Sequence, residues 1–189
     1  TYDGLASLNG QVYAFETAND RIVVIDPATN TVARTIDVRA VNPGRTFFGG
    51  LGAITGPDAL IATTDGAQVV FLDPATGRFR HYRHDPGSST SLSDDHVRAI
   101  LEDTDGRLWV GTANGLDLLD PARDTFTHYP ADPEDATSLA DGHVLSLAQD
   151  RGGVLWIGTR LGGAHKWNPL SWQLGHVAAD PADPRALGS

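Results

Sequence analysis

The dipeptide Asp-Pro begins at Asp26, at Asp73 and at Asp120, each copy 47 residues after the last. The same step carries Trp109 to Trp156, Gly111-Thr112 to Gly158-Thr159, His81-Tyr82 to His128-Tyr129 and His96-Val97 to His143-Val144, while Asn168-Pro169 continues the Asp-Pro series one residue late. A chain that repeats itself at this length is a row of similar supersecondary units, each burying its apolar faces against its neighbours. Earlier copies are more divergent. GQVYAFETANDRIVVIDPATNTVARTI and ALIATTDGAQVVFLDPATGRFRHY align with RLWVGTANGLDLLDPARDTFTHY, which sets Tyr13 and Ile61 opposite Trp109.

Within one period, four short apolar runs alternate with turn signals, a spacing that suits strands and is too short for helices. In the third copy the predicted strands are His96 to Glu102, Arg107 to Thr112, Gly115 to Asp120 and Thr125 to Tyr129. Asp105-Gly106 and Asn114-Gly115 mark tight hairpins that need positive φ, and Pro121 to Asp124 and Pro74 to Gly77 suit type I turns. Runs such as LWVG are apolar at successive positions, as expected of sheets covered on both faces. The reading is an all-β fold, a β-propeller of four-stranded antiparallel blades. Blade 1 is placed at about residues 1–36, blade 2 at 47–83, blade 3 at 96–129 and blade 4 at 143–177. Residues 178–189 match the linkers that precede an innermost strand, so they are expected to lead to a missing blade. The chain is thus expected to be a single segment, an incomplete arc of a larger propeller of about seven blades.

At LEDTDGRLWVGTANGLDLLD and LAQDRGGVLWIGTRLGGAHKWN, preceded by SLSDDHV and SLADGHV, the chain resembles the two-component regulator propeller repeats of bacterial sensor proteins. The resemblance runs closely from Thr76 to Asn168 and more loosely elsewhere. It implies a periplasmic receptor propeller that binds a small-molecule or glycan ligand. Further blades, a membrane anchor and a histidine kinase or diguanylate cyclase output would belong to the same protein. The first copy, DRIVVIDPATNTVARTIDV, instead resembles surface-layer and quinoprotein-like propellers, which keeps a propeller lyase or quinone-dependent enzyme as an alternative beside a protein-interaction propeller without small ligand.

Composition narrows the function classes. Fourteen Lys and Arg against 24 Asp and Glu give a net charge of −10, and the basic residues are scattered, so no footprint for nucleic acid or a membrane surface is expected. Absence of cysteine removes thiolate nucleophiles and Cys-based metal sites, and Lys166 is the single lysine available to Schiff-base chemistry. No cofactor, no metal and no catalytic cluster is expected. The acidic linkers around Asp85, Asp94, Asp95, Asp132, Glu134 and Asp135 offer oxygen ligands but lack the spacing of a calcium loop, and solvated turns are the better reading.

In a repeat protein, a residue that returns with the period is explained by the blade. Trp109 and Trp156 are therefore read as core, with Gly111, Thr112, Gly158 and Thr159 as structural companions that permit close backbone approach and cap the strand. His96 and His143 each follow an aspartate; an acid–base couple is the sharper reading and a strand-start hydrogen bond the plainer one. His81 and His128 are expected on the surface. Departures from the period point to the ligand: Arg45 and Phe47 in the first long link, Asp65, Asn114 and Arg160 in hairpins between second and third strands. His165, Lys166, Trp167 and Trp172 also break the repeat and are expected to pack or to meet a neighbouring domain.

Overall fold

The computed structural model describes residues 2–39, 51–54, 59–63, 68–168 and 173–177. Sixteen strands and one short 3-10 turn, Thr17–Asn19, make up the regular structure of the described residues. The first sheet contains β1 (Tyr2–Leu8), β2 (Gln11–Glu16), β3 (Arg21–Asp26) and β4 (Thr31–Asp37); the second contains β5 (Leu51–Ile54), β6 (Ala59–Thr63), β7 (Val69–Asp73) and β8 (Arg78–Tyr82). The third contains β9 (Val97–Glu102), β10 (Leu108–Thr112), β11 (Gly115–Asp120) and β12 (Thr125–Tyr129), and the fourth β13 (Val144–Gln149), β14 (Leu155–Thr159), β15 (Ala164–Asn168) and β16 (Gln173–Val177). Every sheet is an antiparallel meander in which sequential strands are neighbours. The four strands expected in the third copy form within one residue of their predicted bounds.

The recurring Asp-Pro has a local cause. Asp26, Asp73 and Asp120 each end a third strand, and each carboxylate accepts the N–H two residues on, from Ala28 at 2.8 Å, Ala75 at 2.8 Å and Ala122 at 3.0 Å. The proline between them fixes φ for the turn. The turn closes on a left-handed residue, Asn30 (φ 54°), Gly77 (φ 69°) or Asp124 (φ 57°), again 47 residues apart. Of the pairs Asp105-Gly106 and Asn114-Gly115, only the glycines take positive φ, 76° and 126°. The β9–β10 connection is correspondingly a wider turn, in which the Gly106 N–H reaches the Asp103 carbonyl at 2.9 Å.

The chain forms two compact units, Thr1–Arg83 and His84–Ser189. In the first, Leu8, Tyr13, Phe15, Ile22 and Val24 of the first sheet share a core with Val70 and Leu72 of the second. In the second unit, Trp109 and Leu116 of the third sheet pack with Val144, Leu155, Ile157 and Trp167 of the fourth. Trp109 is fully buried, with its ring 5.0 Å from Trp167 and 5.7 Å from Tyr129. Burying one such side chain contributes roughly 3 kcal/mol of apolar transfer. At Gly111, two residues on along β10, the sheets approach closely: a Cβ there would lie 2.5 Å from Val144 Cγ1.

Trp156 departs from the core expectation. It occupies the position of Trp109 in the next copy but is 37% exposed. Alternation along β14 turns Leu155 and Ile157 to the third sheet and Trp156 to the opposite face, outside that core. The bond that holds the ring is nevertheless retained, from Trp156 Nε1 to Asp150 Oδ2 at 2.9 Å.

Candidate functional site

In the third sheet the hairpin between second and third strands and the linker entering the first strand lie at one end, because Thr112 closes on Gly115 and also pairs with Val97. Thr112 Oγ1 donates to the Gly115 carbonyl at 3.1 Å and accepts the Asn114 N–H at 3.1 Å; Thr159 Oγ1 repeats the first bond to Gly163 at 3.0 Å. These threonines cap the hairpins, as the period implies.

A cavity of about 540 Å³ lies at this end, lined by linker residues His84 to Ser89, Leu92 and Ser93, by Asn114 of the hairpin, and by His128 and Pro130 after it. Its wall is held by Asp117, a fully buried carboxylate on β11. Asp117 Oδ2 accepts from the Ser93 N–H at 2.9 Å and the Ser93 hydroxyl at 2.8 Å, and Oδ1 faces His128 Nδ1 at 2.7 Å. His128 Nε2 points at the Ser89 carbonyl at 3.0 Å. Both ring nitrogens thus face oxygens of the protein. The linker is tied down further by Phe126 N–H to the Thr90 carbonyl at 2.8 Å and by His84 Nδ1 to the Leu92 carbonyl at 2.8 Å.

His128 is therefore not the surface residue expected from its place on an outer strand. Its side chain is 28% exposed and its Nδ1 lies in hydrogen-bond contact with Asp117. Pairing registers show why sequence adjacency misled: Asp117 stands opposite His128, whereas the corresponding pairs are Val70 opposite His81 and His165 opposite His176. The histidine recurs and its aspartate does not. Four other polar lining residues are equally particular to this copy, since Ala131, Ala136, Ala140 and Leu161 stand 47 residues after His84, Ser89, Ser93 and Asn114, whereas Asp85 returns as Asp132.

Of the ligand candidates, Asn114 lines the cavity, its Nδ2 donating to the Ser93 carbonyl at 3.4 Å. Arg160 is exposed in the β14–β15 hairpin, with its N–H on the His143 carbonyl at 2.9 Å, and lies outside the cavity lining. Arg45, Phe47 and Asp65, like Trp172, lie outside the described residues. His165 and Trp167 are core residues of the fourth sheet.

The two histidine–aspartate pairs have the plainer role. Asp94 Oδ1 accepts the His96 N–H at 2.6 Å and faces its Nδ1 at 2.8 Å; Asp141 Oδ1 accepts the His143 N–H at 3.1 Å. The His143 N–H, with the Leu161 N–H beside it, outweighs burial and holds the Asp141 carboxyl below the ordinary carboxylate range. The acidic linkers turn their carboxylates inward on their own backbone: Asp85 accepts Gly87 N–H at 2.9 Å, Asp132 accepts Glu134 N–H at 2.9 Å and Asp135 accepts Thr137 N–H at 2.8 Å. Missed from sequence was Asp103, which recurs as Asp150. Buried beside Trp109, it accepts Trp109 Nε1 at 2.8 Å and Arg107 Nε at 2.7 Å, and its strict recurrence six residues before each tryptophan was the signal.

Residues 91–114 and 138–160 match the family model of the two component regulator propeller. No curated protein matches the chain. Among solved structures, the extracellular domain assigned to hybrid two component system BT4673 of B. thetaiotaomicron aligns at 20% identity and a TM-score of 0.69, over 98% of this chain and 23% of that one. That assigned to hybrid two component system BT3049 of the same organism aligns at 18% and 0.68, over 94% and 24%. A streptogramin B lyase aligns at 18% and 0.65, over 98% and 56%. The chain thus spans about a quarter of the first two. At these identities the likeness establishes the fold, a β-propeller.

Proposed function

We propose, from the premise that the chain carries two component regulator propeller repeats at 91–114 and 138–160, that it is part of the ligand-sensing propeller of a bacterial signal-transduction receptor. The ligand is small and sits in the cavity between the 84–93 linker and the third sheet. A kinase or cyclase elsewhere in the parent protein receives the signal, and the propeller faces the periplasm. The observation that carries this reading is the set of polar residues at the cavity, His84, Ser89, Ser93, Asn114 and Asp117, which the next copy of the same blade replaces. A blade that folds without them has no architectural need of them.

Chemical-shift mapping of the ¹⁵N-labelled chain against a broad set of soluble metabolites tests it. A compound that moves the amides of 84–93 and Asn114 is the expected result; silence at these residues across the set refutes the reading. The exposed apolar side chains Leu145 (48%), Trp156 (37%) and Leu161 (84%) favour a second reading, a propeller that engages another protein. Under that reading the same amides stay silent and those of β13 and β14 respond to the partner.

A further inference from the structure

Resting on the reading of the 84–130 cavity as the ligand site, we infer that its ligand is a hydrogen-bond donor carrying positive charge, a primary amine or similar ammonium compound, and not an anion. The hydrogen bonds already made inside the protein leave an asymmetric inventory. Asn114 commits one N–H of its amide Nδ2 to the Ser93 carbonyl, which leaves Oδ1 as an acceptor beside one remaining N–H. His84 commits Nδ1 to the Leu92 carbonyl, so Nε2 is the ring nitrogen left to offer. Asp85 commits Oδ1 to the Gly87 N–H, and among the described residues Oδ2 accepts nothing. Ser89 brings a hydroxyl that accepts as readily as it donates.

The imidazole of His128 is spent within the wall. His128 is paired with Asp117 on one nitrogen and with the Ser89 carbonyl on the other, so it has no donor left to turn to a ligand. Neither lysine nor arginine lines the cavity, and the uncompensated charge there is the Asp85 carboxylate. An anion would meet the like charge of Asp85, whereas an ammonium finds that charge complementary and the Asn114 Oδ1 ready to accept. Pro86, Pro130 and the buried Leu92 supply apolar walls for the carbon body of such a compound. The chain's net charge of −10 draws cations toward it.

Titration with ethanolamine and cadaverine as amine probes, acetate and inorganic phosphate as anions, and glycerol as an uncharged polyol distinguishes the classes, with the side-chain amide of Asn114 and the His84 ring as NMR reporters. The amines are expected to shift both reporters, and D85N and N114L each to weaken amine binding by tenfold or more. N114L installs the residue found in the fourth copy, and D85N keeps the Oδ1 turn, so a matching ¹⁵N spectrum outside the cavity verifies the fold. Acetate, phosphate or glycerol shifting these reporters while the amines do not overturns the amine assignment and leaves the sensing reading intact. Amine binding unchanged in D85N and N114L overturns it as well. A metabolite set without effect at 84–93 removes the sensing reading, and this inference falls with it.

Discussion

Trp109 Nε1 donates to Asp103 Oδ2 at 2.8 Å, across a turn, from a ring that is completely buried. The same carboxylate takes Arg107 Nε at 2.7 Å and the N–H groups of Asp105 and Arg107 at 3.0 and 2.9 Å. Arg107 in turn lies 5.0 Å over the Trp167 ring, so the carboxylate organises a cluster that joins the third sheet to the fourth. Removing it strands a buried indole N–H and takes from Arg107 one of its two carboxylate partners, Asp105 being the other. Asp103→Ala should cost about 2–4 kcal/mol, read from urea unfolding at neutral pH, and Asp150→Ala, whose tryptophan is part-exposed, distinctly less.

Acid should find the same group. Burial opposes the charged form of Asp103, but the hydrogen bonds from Trp109 and Arg107 and the arginine's charge together outweigh it and hold the carboxyl below the ordinary range. A folded value below the unfolded one means stability fully present above about pH 4, the unfolded carboxylate value, and lost as pH falls through the folded value. The stability gap between the parent chain and Asp103→Asn should therefore narrow between pH 5 and the acid limit of folding. A gap that stays constant would contradict the assignment.

At Gly111 the sheets meet backbone to side chain. Gly111→Ala places a methyl 2.5 Å from Val144 Cγ1, a β-branched core side chain with little room to turn, and should destabilise by about 1–3 kcal/mol. Gly158→Ala meets the Ser146 hydroxyl within the same sheet, which can rotate, and should be milder. The double variant Gly111→Ala/Val144→Ala should recover part of the loss, giving a favourable coupling energy in a double-mutant cycle.

His128→Ala leaves Oδ1 of the buried Asp117 without its hydrogen-bond partner and should cost about 1–3 kcal/mol. It also frees the Ser89 carbonyl, so amide exchange should quicken in the 86–90 linker before it quickens in β9 to β11. His128→Gln, whose amide can still donate to Asp117, should retain more of both.

The architecture was legible because its causes are local. Turn chemistry at Asp26, Asp73 and Asp120 and apolar runs of strand length recur with the chain's own period, and each copy corroborates the others. Burial was less legible, because it depends on what lies against a face: Trp109 and Trp156 share a strand position and a hydrogen bond, yet only the first is covered by a following sheet among the described residues. The candidate site was partly legible. Asn114 was found by its departure from the period, but His128 returns with the period and was set aside, while its partner Asp117, eleven residues earlier and brought opposite by the β11–β12 register, went unremarked.

One extra residue separates the fourth sheet from the third. Ala113-Asn114 lies between Thr112 and Gly115, whereas Arg160-Leu161-Gly162 lies between Thr159 and Gly163, and every later pairing is displaced by one without loss of a ladder. The insertion is absorbed at the hairpin tip, where Thr159 grips Gly163 as Thr112 grips Gly115. Loop length at that rim is thus decoupled from the scaffold beneath it. Lineages, and engineers, can lengthen or reshape these tips blade by blade and alter what the rim holds, while the sheets go on folding to the same plan.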